Sequence, residues 1–123
     1  MSVNVRICEV GPRDGLQMAR QVMPTETKLR WLAQLAAAGL KEIEVGSFVS
    51  PRLVPQMADT AEVVRGALRI PGITVCALTV NLKGAMAAYD AGVHVLAIPV
   101  SVSDTHSRAN VNKSTGAQIE VVR

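Results

Sequence analysis

The 123-residue sequence has few aromatic side chains and no long uninterrupted apolar run. Aromatic residues make up 2% of the chain, as Trp31, Phe48 and Tyr89, which disfavours nucleic-acid readers that stack bases and aromatic-rich β-sandwiches. Polar residues such as Asn81 and Lys83 interrupt the most apolar region, so no segment reaches membrane-spanning length. The amino-terminal residues lack the apolar core of a signal peptide. We therefore expect no nucleic-acid partner, no membrane association and a cytoplasmic location.

Cysteine is also scarce, with Cys8 and Cys76 as the two examples. Each lies in an apolar, strand-like run, and two such residues without an export signal are typical of reduced, buried thiols rather than of a disulfide. Neither has a histidine partner apparent in the sequence, so a cysteine nucleophile within this chain is not expected. The net charge of +3 comes from scattered basic residues, a balance that suits an anionic small-molecule substrate.

What the chain does contain is apolar aliphatic residues in a repeating order of strand, loop and helix. Hydrophobic residues make up 49% of the sequence, enough for one modest domain with a core. The patterns predict strands over residues 3–10, 42–48, 73–80 and 93–100, and helices over residues 25–38, 60–68, 82–91 and from 114 or 115 to the chain end. Alternating strands and helices indicate an α/β fold with a parallel sheet, either doubly wound or a (β/α)8 barrel.

In both architectures the functional residues lie at the carboxyl ends of the strands. The segments to search are therefore residues 11–23, 47–58, 79–81 and 101–113. No Gly-x-Gly-x-x-Gly follows the first strand and no Gly-x-x-x-x-Gly-Lys occurs, which argues against a dinucleotide or nucleotide site.

The first of these loops presents an arginine and an aspartate between proline-containing and glycine-containing turns. Residues 9–17 read EVGPRDGLQ. Asp14 could bind a hard divalent metal through oxygen while Arg13 stabilises a developing oxyanion. The alternative is an ion pair that only braces the loop.

The second strand and the loop after it offer further candidates. Alternation places Glu42 and Glu44 on one face of the strand, where Glu44 would face an active site or both would be solvated. The proline-containing loop that follows is either a packed connection or a rigid substrate wall in which Ser47 donates a hydrogen bond. Of the two histidines, we expect a structural role for His94 and a surface position for His106.

Taken together, these motifs resemble the 3-hydroxy-3-methylglutaryl-coenzyme A lyase family over essentially the whole chain. The matching segments are residues 9–17 (EVGPRDGLQ), 47–51 (SFVSP), 54–57 (VPQM), 78–79 (LT), 81–84 (NLKG) and 110–112 (NVN) followed by Ser114. The resemblance implies a TIM (β/α)8 barrel. Residues 1–123 would supply about the first four βα units, an incomplete amino-terminal half of a pyruvate carboxyltransferase-like barrel domain whose fourth helix is cut at Arg123.

The resemblance also implies an activity. The family cleaves its substrate into acetyl-CoA and acetoacetate, in leucine degradation and ketone-body formation, with Mg²⁺ or Mn²⁺. By motif, Asp14 would be a metal ligand, Arg13 would neutralise charge on the carbonyl that becomes an enolate, and Glu44 would be the active-site glutamate. Substrate contacts by motif would come from Arg13, Gln17, Ser47 and Asn110. The family's metal-binding histidines and catalytic cysteine have no counterpart in this sequence, so we expect the chain alone to be inactive.

Two other functions stay open from the sequence. One is another metal-dependent acyl-CoA or 2-oxo acid lyase, aldolase or condensing enzyme on the same barrel, because Arg-Asp-Gly after the first strand is shared there. The other is a non-catalytic half-barrel that binds an acyl-CoA. A half-barrel has two open sheet edges, which favour association, so a homo-oligomer is among the partners to test.

Overall fold

A computed structural model describes residues 4–123 of the chain. Four strands alternate with helices along the sequence. The elements are β1 (Cys8–Glu9), a π-helical turn (Gly11–Gly15), α1 (Thr25–Ala37), β2 (Glu42–Phe48), a 3-10 turn (Pro55–Met57), α2 (Thr60–Ala67), β3 (Thr74–Thr79), α3 (Leu82–Ala91), β4 (Val95–Ala97), α4 (Asp104–Val111) and α5 (Thr115–Val122). No helix within residues 4–123 combines the length and the hydropathy needed to cross a membrane.

The four strands form one parallel sheet in the order β1-β2-β3-β4. A doubly wound sheet reverses its strand order at a switch point, whereas a barrel adds each new strand beside the previous one. The sequential order is therefore that of a (β/α)8 barrel. The register between β2 and β3 shifts between Glu44 and Gly46, which changes the direction of the side chains at the carboxyl end of β2.

The core lies on the helix-facing side of this sheet. Ile43, Val45 and Val75 pack there against Leu32 of α1 and Val63 of α2, all of them 2% exposed or less. Because successive side chains of a strand point to opposite faces, Glu42 and Glu44 lie on the other face. That face is the interior of the barrel.

Strands β1 and β4 are shorter than the sequence predicts. Residue 3 of the predicted strand 3–10 lies outside the described part, and pairing with β2 is confined to Cys8 and Glu9. Strand β4 pairs with β3 over Val95–Ala97 rather than across residues 93–100. A β-branched, alternating sequence makes a segment suitable for a strand, but a strand forms only where a neighbour supplies the hydrogen bonds.

Helix α4 is an element that the sequence reasoning missed, because it treated residues 101–113 as a loop. The Ser103 hydroxyl caps the helix by accepting from the backbone N–H of His106 at 3.3 Å, and Asn112 ends it in the left-handed region at φ 55°. Among its residues Ser107 alone is buried. A helix with one buried residue has no apolar periodicity to detect, so its caps were the available signal.

The predicted helices begin and end close to the residues that the sequence indicates, but the Asp59 side chain does not act as the predicted helix cap. The Asn81 side chain caps α3 by accepting from the Gly84 N–H at 2.9 Å, and Gly92 ends that helix at φ 91°. Helix α2 begins after Asp59 as predicted, but the Asp59 side chain makes no cap. Its carboxylate instead accepts from Thr25 Oγ1 at 2.7 Å and from Lys28 Nζ at 2.5 Å, which ties α1 to α2.

Candidate active-site cleft

A cleft of about 800 Å³ opens at the carboxyl ends of the strands, within the size range of small-molecule sites. The loop after β1 and the loop after β2 form much of its wall, and α3 supplies part of the remainder. The lining combines apolar side chains with a few polar ones. The polar and charged residues among them are Arg13, Gln17, Ser47, Ser50, Thr60, Asn81, Lys83 and Asn110.

Arg13 is placed by the π-helical turn that follows β1. The backbone N–H groups of Arg13 and Asp14 both donate to the Val10 carbonyl, at 3.1 and 2.7 Å, and the Gly11 N–H donates to Glu9 Oε1 at 2.6 Å. The guanidinium is then fixed by two carboxylates: Nε donates to Glu44 Oε1 and Nη1 donates to Asp14 Oδ1 at 2.9 Å. These bonds use two of the five guanidinium N–H groups, and Arg13 is part of the cleft lining.

The two carboxylates that hold Arg13 differ in their surroundings. Glu44 is buried on the interior face of β2, with its side chain 8% exposed, and it does not line the cleft. Asp14 has a side chain that is 62% exposed, so solvent screens its attraction for the guanidinium. Glu44 is therefore the partner that orients Arg13, while Asp14 retains a carboxylate oxygen that solvent or an ion can reach.

Gln17 and Ser47 meet on the wall of the cleft. The Ser47 hydroxyl, fully buried at the carboxyl end of β2, donates to Gln17 Oε1 at 3.3 Å. A second contact holds the first loop in place, because Gln56 Nε2 donates to the Ala19 carbonyl at 2.6 Å. The two loops that the sequence separates by 30 residues thus form one surface.

Asn110 and Lys83 complete the polar lining. Asn110 reaches the cleft from the exposed end of α4, the helix absent from the predicted pattern. Lys83, in the first turn of α3, adds a cation that the sequence reasoning did not assign to a site. Its position two residues after the capping residue Asn81, beyond the carboxyl end of β3, is the signal that could have identified it.

Both histidines lie in structural contacts outside the lining of the cleft. His94 Nδ1 accepts from the Val75 N–H at 2.9 Å, and the His94 N–H donates to the Val75 carbonyl at 2.9 Å. His106 Nδ1 lies 2.7 Å from the Ser101 hydroxyl on the exposed side of α4.

The two cysteines do not match the expectation that both are buried. Cys76 is buried in β3, but Cys8 is exposed because β1 is an edge strand that pairs over only two residues. Both thiols are free. Burial and the neighbouring carboxylates raise the pKa of Cys8, and burial together with Cys8 raises the pKa of Cys76 to about 12.

Possible metal donors fall into two groups on the described part of the chain. Asp14 stands at the carboxyl end of β1 as a single hard oxygen donor beside the cleft. The one group of three donors found among residues 4–123 consists of Cys8, Glu42 and Cys76. In the strand register Cys8 is paired with Glu42, and Cys76 is paired with Glu44.

Comparison with known proteins identifies the family. The HMGL-like family pattern matches residues 4–123. The 3-hydroxy-3-isohexenylglutaryl-CoA/hydroxymethylglutaryl-CoA lyase of Pseudomonas aeruginosa is 49% identical over 116 residues, which is 94% of this chain and 39% of that protein. The chain thus spans about two fifths of the length of the curated relatives it matches.

Solved structures give the same result. The HMG-CoA lyase of Bacillus subtilis superposes with a TM-score of 0.89 at 41% identity, over 96% of this chain and 40% of that one. An HMG-CoA lyase from Acinetobacter baumannii, in complex with coenzyme A and 3-methylmalate, superposes with a TM-score of 0.89 at 38% identity, over 95% of this chain and 38% of that one. The fold is accordingly that of the amino-terminal part of a TIM barrel, and this chain belongs to the HMGL-like family.

Proposed function

We propose that this chain carries part of the active site of a carbon–carbon lyase that cleaves 3-hydroxy-3-methylglutaryl-CoA into acetyl-CoA and acetoacetate. The observation that carries the proposal is the Arg13 guanidinium, held by Glu44 and Asp14 beside a cleft at the carboxyl ends of the strands. The names of the relatives and the coenzyme A bound to the Acinetobacter baumannii structure support an acyl-CoA substrate.

In this proposal Arg13 supplies the cation that the cleavage needs beside the developing enolate. A general base takes the proton of the substrate's tertiary hydroxyl, the oxygen electron pair forms the ketone of acetoacetate, and the adjacent carbon–carbon bond breaks. The bonding pair moves onto the thioester to form an enolate, which takes a proton at carbon from a general acid. Arg13 donates hydrogen bonds to the enolate oxygen, an arrangement in which a pre-oriented donor contributes about 10²–10³ in rate. Buried Glu44 positions that donor before the substrate arrives.

Asp14 suits a hard divalent cation of the Mg²⁺ or Mn²⁺ type, which binds oxygen ligands. When bound, such an ion would polarise the substrate's oxygen atoms as a Lewis acid. One carboxylate is not a complete site, and no second carboxylate joins Asp14 in a three-donor group within residues 4–123. The other ligands would come from the part of the family's barrel that this chain does not span.

The remaining lining residues suit the substrate rather than the reaction centre. Ser47 and Gln17, joined by their hydrogen bond, would orient the acyl group from the wall of the cleft. Asn110 offers an amide from α4, and Lys83 offers a cation to the phosphates of coenzyme A. Each of these groups binds and orients the substrate, and none of them changes its protonation state in the proposal.

The test uses the chain in two contexts. We expect the 123-residue polypeptide alone to release no acetoacetate at a normal enzyme rate. A chimaera in which this chain replaces the matched segment of the Pseudomonas aeruginosa lyase should cleave the substrate. Arg13→Met in that chimaera should lower kcat by about a hundredfold or more, whereas Arg69→Met, at an exposed position after the end of α2, should not change it. Full activity in the Arg13 variant would contradict the role proposed for this residue.

A non-catalytic acyl-CoA-binding half-barrel is the second candidate, and the single hard oxygen donor favours it. It predicts that the 123-residue chain binds coenzyme A in a calorimetric titration while the chimaera remains inactive. Turnover by the chimaera excludes it. A chimaera that cleaves a different acyl-CoA or 2-oxo acid, and not 3-hydroxy-3-methylglutaryl-CoA, would favour another lyase or aldolase of the same barrel.

We also propose how the chain is arranged within a barrel domain and how copies of it associate. Residues 1–123 would form the first half of a barrel domain, with β1 and β4 as the open edges of the described sheet. Val95 and Leu96 on β4 and Ile7 beside β1 are exposed, which favours association through these edges. Size-exclusion chromatography tests this, and a well-behaved monomer of 123 residues would contradict it. The cytoplasmic location stays a prediction, to be tested by cell fractionation.

A further inference from the structure

Three potential metal ligands meet on the interior face of the sheet, away from the cleft. Cys8 Sγ, a carboxylate oxygen of Glu42 and Cys76 Sγ all lie within 4.8 Å of one another. Each comes from a different strand, since they belong to β1, β2 and β3 in turn. We propose that these three side chains form a Zn²⁺ site that is separate from Asp14.

The donor types and spacing suit this ion. Zn²⁺ binds thiolate sulfur at about 2.3 Å and carboxylate oxygen at about 2.0–2.2 Å in a tetrahedron, so its ligand atoms lie roughly 3.5–3.8 Å apart. The observed limit of 4.8 Å needs only side-chain rotation to reach that spacing. Two sulfur ligands select a thiophilic ion over Mg²⁺ or Mn²⁺, which prefer oxygen. A water molecule would take the fourth position.

A disulfide is the competing use of two neighbouring thiols, and the sheet opposes it. Strand β2 lies between the strands that carry Cys8 and Cys76. Two strand spacings of about 4.8 Å each separate their backbones by roughly 9–10 Å, whereas a disulfide requires Cα atoms within about 7 Å. A metal ion bridges the longer span because it adds two bonds between the sulfur atoms.

The other contacts of these side chains are weak enough for an ion to replace them. Cys76 Sγ donates to the Thr74 carbonyl at 3.8 Å, and Glu42 Oε2 lies 3.8 Å from Nε of exposed Arg6. Glu44, the next carboxylate on the same face, is already paired with Arg13. Glu42 is therefore the carboxylate that remains available to a cation beside the two thiols.

The three donors determine the net charge of the metal-bound site. Zn²⁺ displaces the two thiol protons to solvent, and the bound site of two thiolates and one carboxylate carries a net charge of −1 beside Arg6. Exposed Cys8 and Glu42, whose side chain is 23% exposed, provide the route from solvent to buried Cys76.

The test titrates the reduced, chelator-treated 123-residue chain with Co²⁺ and then with Zn²⁺. We expect one equivalent of Co²⁺ to give a near-ultraviolet sulfur-to-metal charge-transfer band that Zn²⁺ abolishes. Cys8→Ala, at an exposed position, should weaken Zn²⁺ binding by at least about tenfold, and Glu42→Gln should do the same. The matched control is Glu62→Gln, at an exposed position on α2, which should bind as the unaltered chain does.

Two results would overturn the inference. One is a Co²⁺ complex without the sulfur band, or unchanged Zn²⁺ affinity in Cys8→Ala while circular dichroism shows a folded chain. The other is a mass loss of two hydrogens after mild oxidation, which would mean that the thiols form a disulfide. Asp14→Asn separates this site from the proposed lyase site, because it should leave Zn²⁺ binding by the 123-residue chain unchanged and lower the affinity of the chimaera for Mn²⁺.

Discussion

At Gly84 helix α3 closely approaches the ends of β2 and β3, and replacing Gly84 with alanine tests that approach. Its N–H donates to Asn81 Oδ1 at 2.9 Å in the first turn of the helix. A Cβ atom there would lie 2.5 Å from the Phe48 carbonyl oxygen and 2.2 Å from Thr79 Oγ1. The first is backbone at the end of β2, and the second is fully buried and donates to the Asn81 carbonyl. Neither atom can move without breaking a strand end or the cap.

Two opposing effects determine how much Gly84→Ala changes the free energy of unfolding. Alanine is favoured over glycine inside a helix by about 0.5–1 kcal/mol, while forcing a methyl group into a packed region costs about 1–3 kcal/mol. Since both overlaps are well below a van der Waals contact, we expect the steric cost to dominate. Gly84→Ala should lower the free energy of unfolding by about 1–2 kcal/mol, with a midpoint lower by several degrees.

The assay is urea unfolding followed by far-ultraviolet circular dichroism, with Gly116→Ala as the matched control. Gly116 also lies in the first turn of a helix with a side-chain cap, from Ser114. Its added Cβ would meet nothing within 4 Å, and its φ is not left-handed. That variant should gain up to about 0.5–1 kcal/mol. Equal gains in both variants would refute the close packing of α3 against the ends of β2 and β3.

Three further predictions concern stability. In chelating buffer, the free energy of unfolding should fall between pH 9 and pH 12 by up to about 1.4 kcal/mol per pH unit, because burial raises the pKa of Cys76 to about 12 and the unfolded chain loses this proton first. Cys76→Ala should flatten that slope in pH-dependent unfolding, and an unchanged slope would contradict the assignment. Asp59→Ala should lower the free energy of unfolding in urea by about 2–3 kcal/mol, because it leaves the Lys28 ammonium, which is 3% exposed, with a single carbonyl acceptor. The control is Asp90→Ala, at an exposed position on α3. An equally small loss in both variants would contradict the role of Asp59 as the partner of Lys28. Asn81→Ala should cost about 1 kcal/mol in the same assay, and no loss would show that the α3 cap is dispensable.

The chain's own sequence was sufficient for the elements that carry a local signal. Apolar spacing and glycine predicted α1, and the Asn81 cap with Gly92 predicted α3, as the structure confirms. Helix α4 was missed because it is mostly exposed, so its sequence carries no buried face. Strands β1 and β4 were predicted too long, because pairing depends on neighbours that lie far away in the sequence.

In the candidate site, too, the sequence predicts some features and not others. Alternation along β2 indicated that Glu42 and Glu44 share a face, and the carboxyl-end rule pointed to Arg13 and Asp14. Residue order could not reveal that Glu44 would hold Arg13 across 31 positions, nor that Asp59 would bind a buried lysine instead of capping its own helix. Such pairings depend on which strands and helices become neighbours.

Strand order is the clearest case of what tertiary structure alone decided. Alternating strands and helices are equally consistent with a doubly wound sheet and with a barrel, because both satisfy the same local propensities. The parallel order β1-β2-β3-β4 distinguishes them, and it also brings Cys8, Glu42 and Cys76 onto one interior face. The order of amino acids specifies the chemical groups and the faces of the elements on which they lie. Only the folded sheet determined which groups meet, since a hydrogen-bonded register converts distant positions into neighbours.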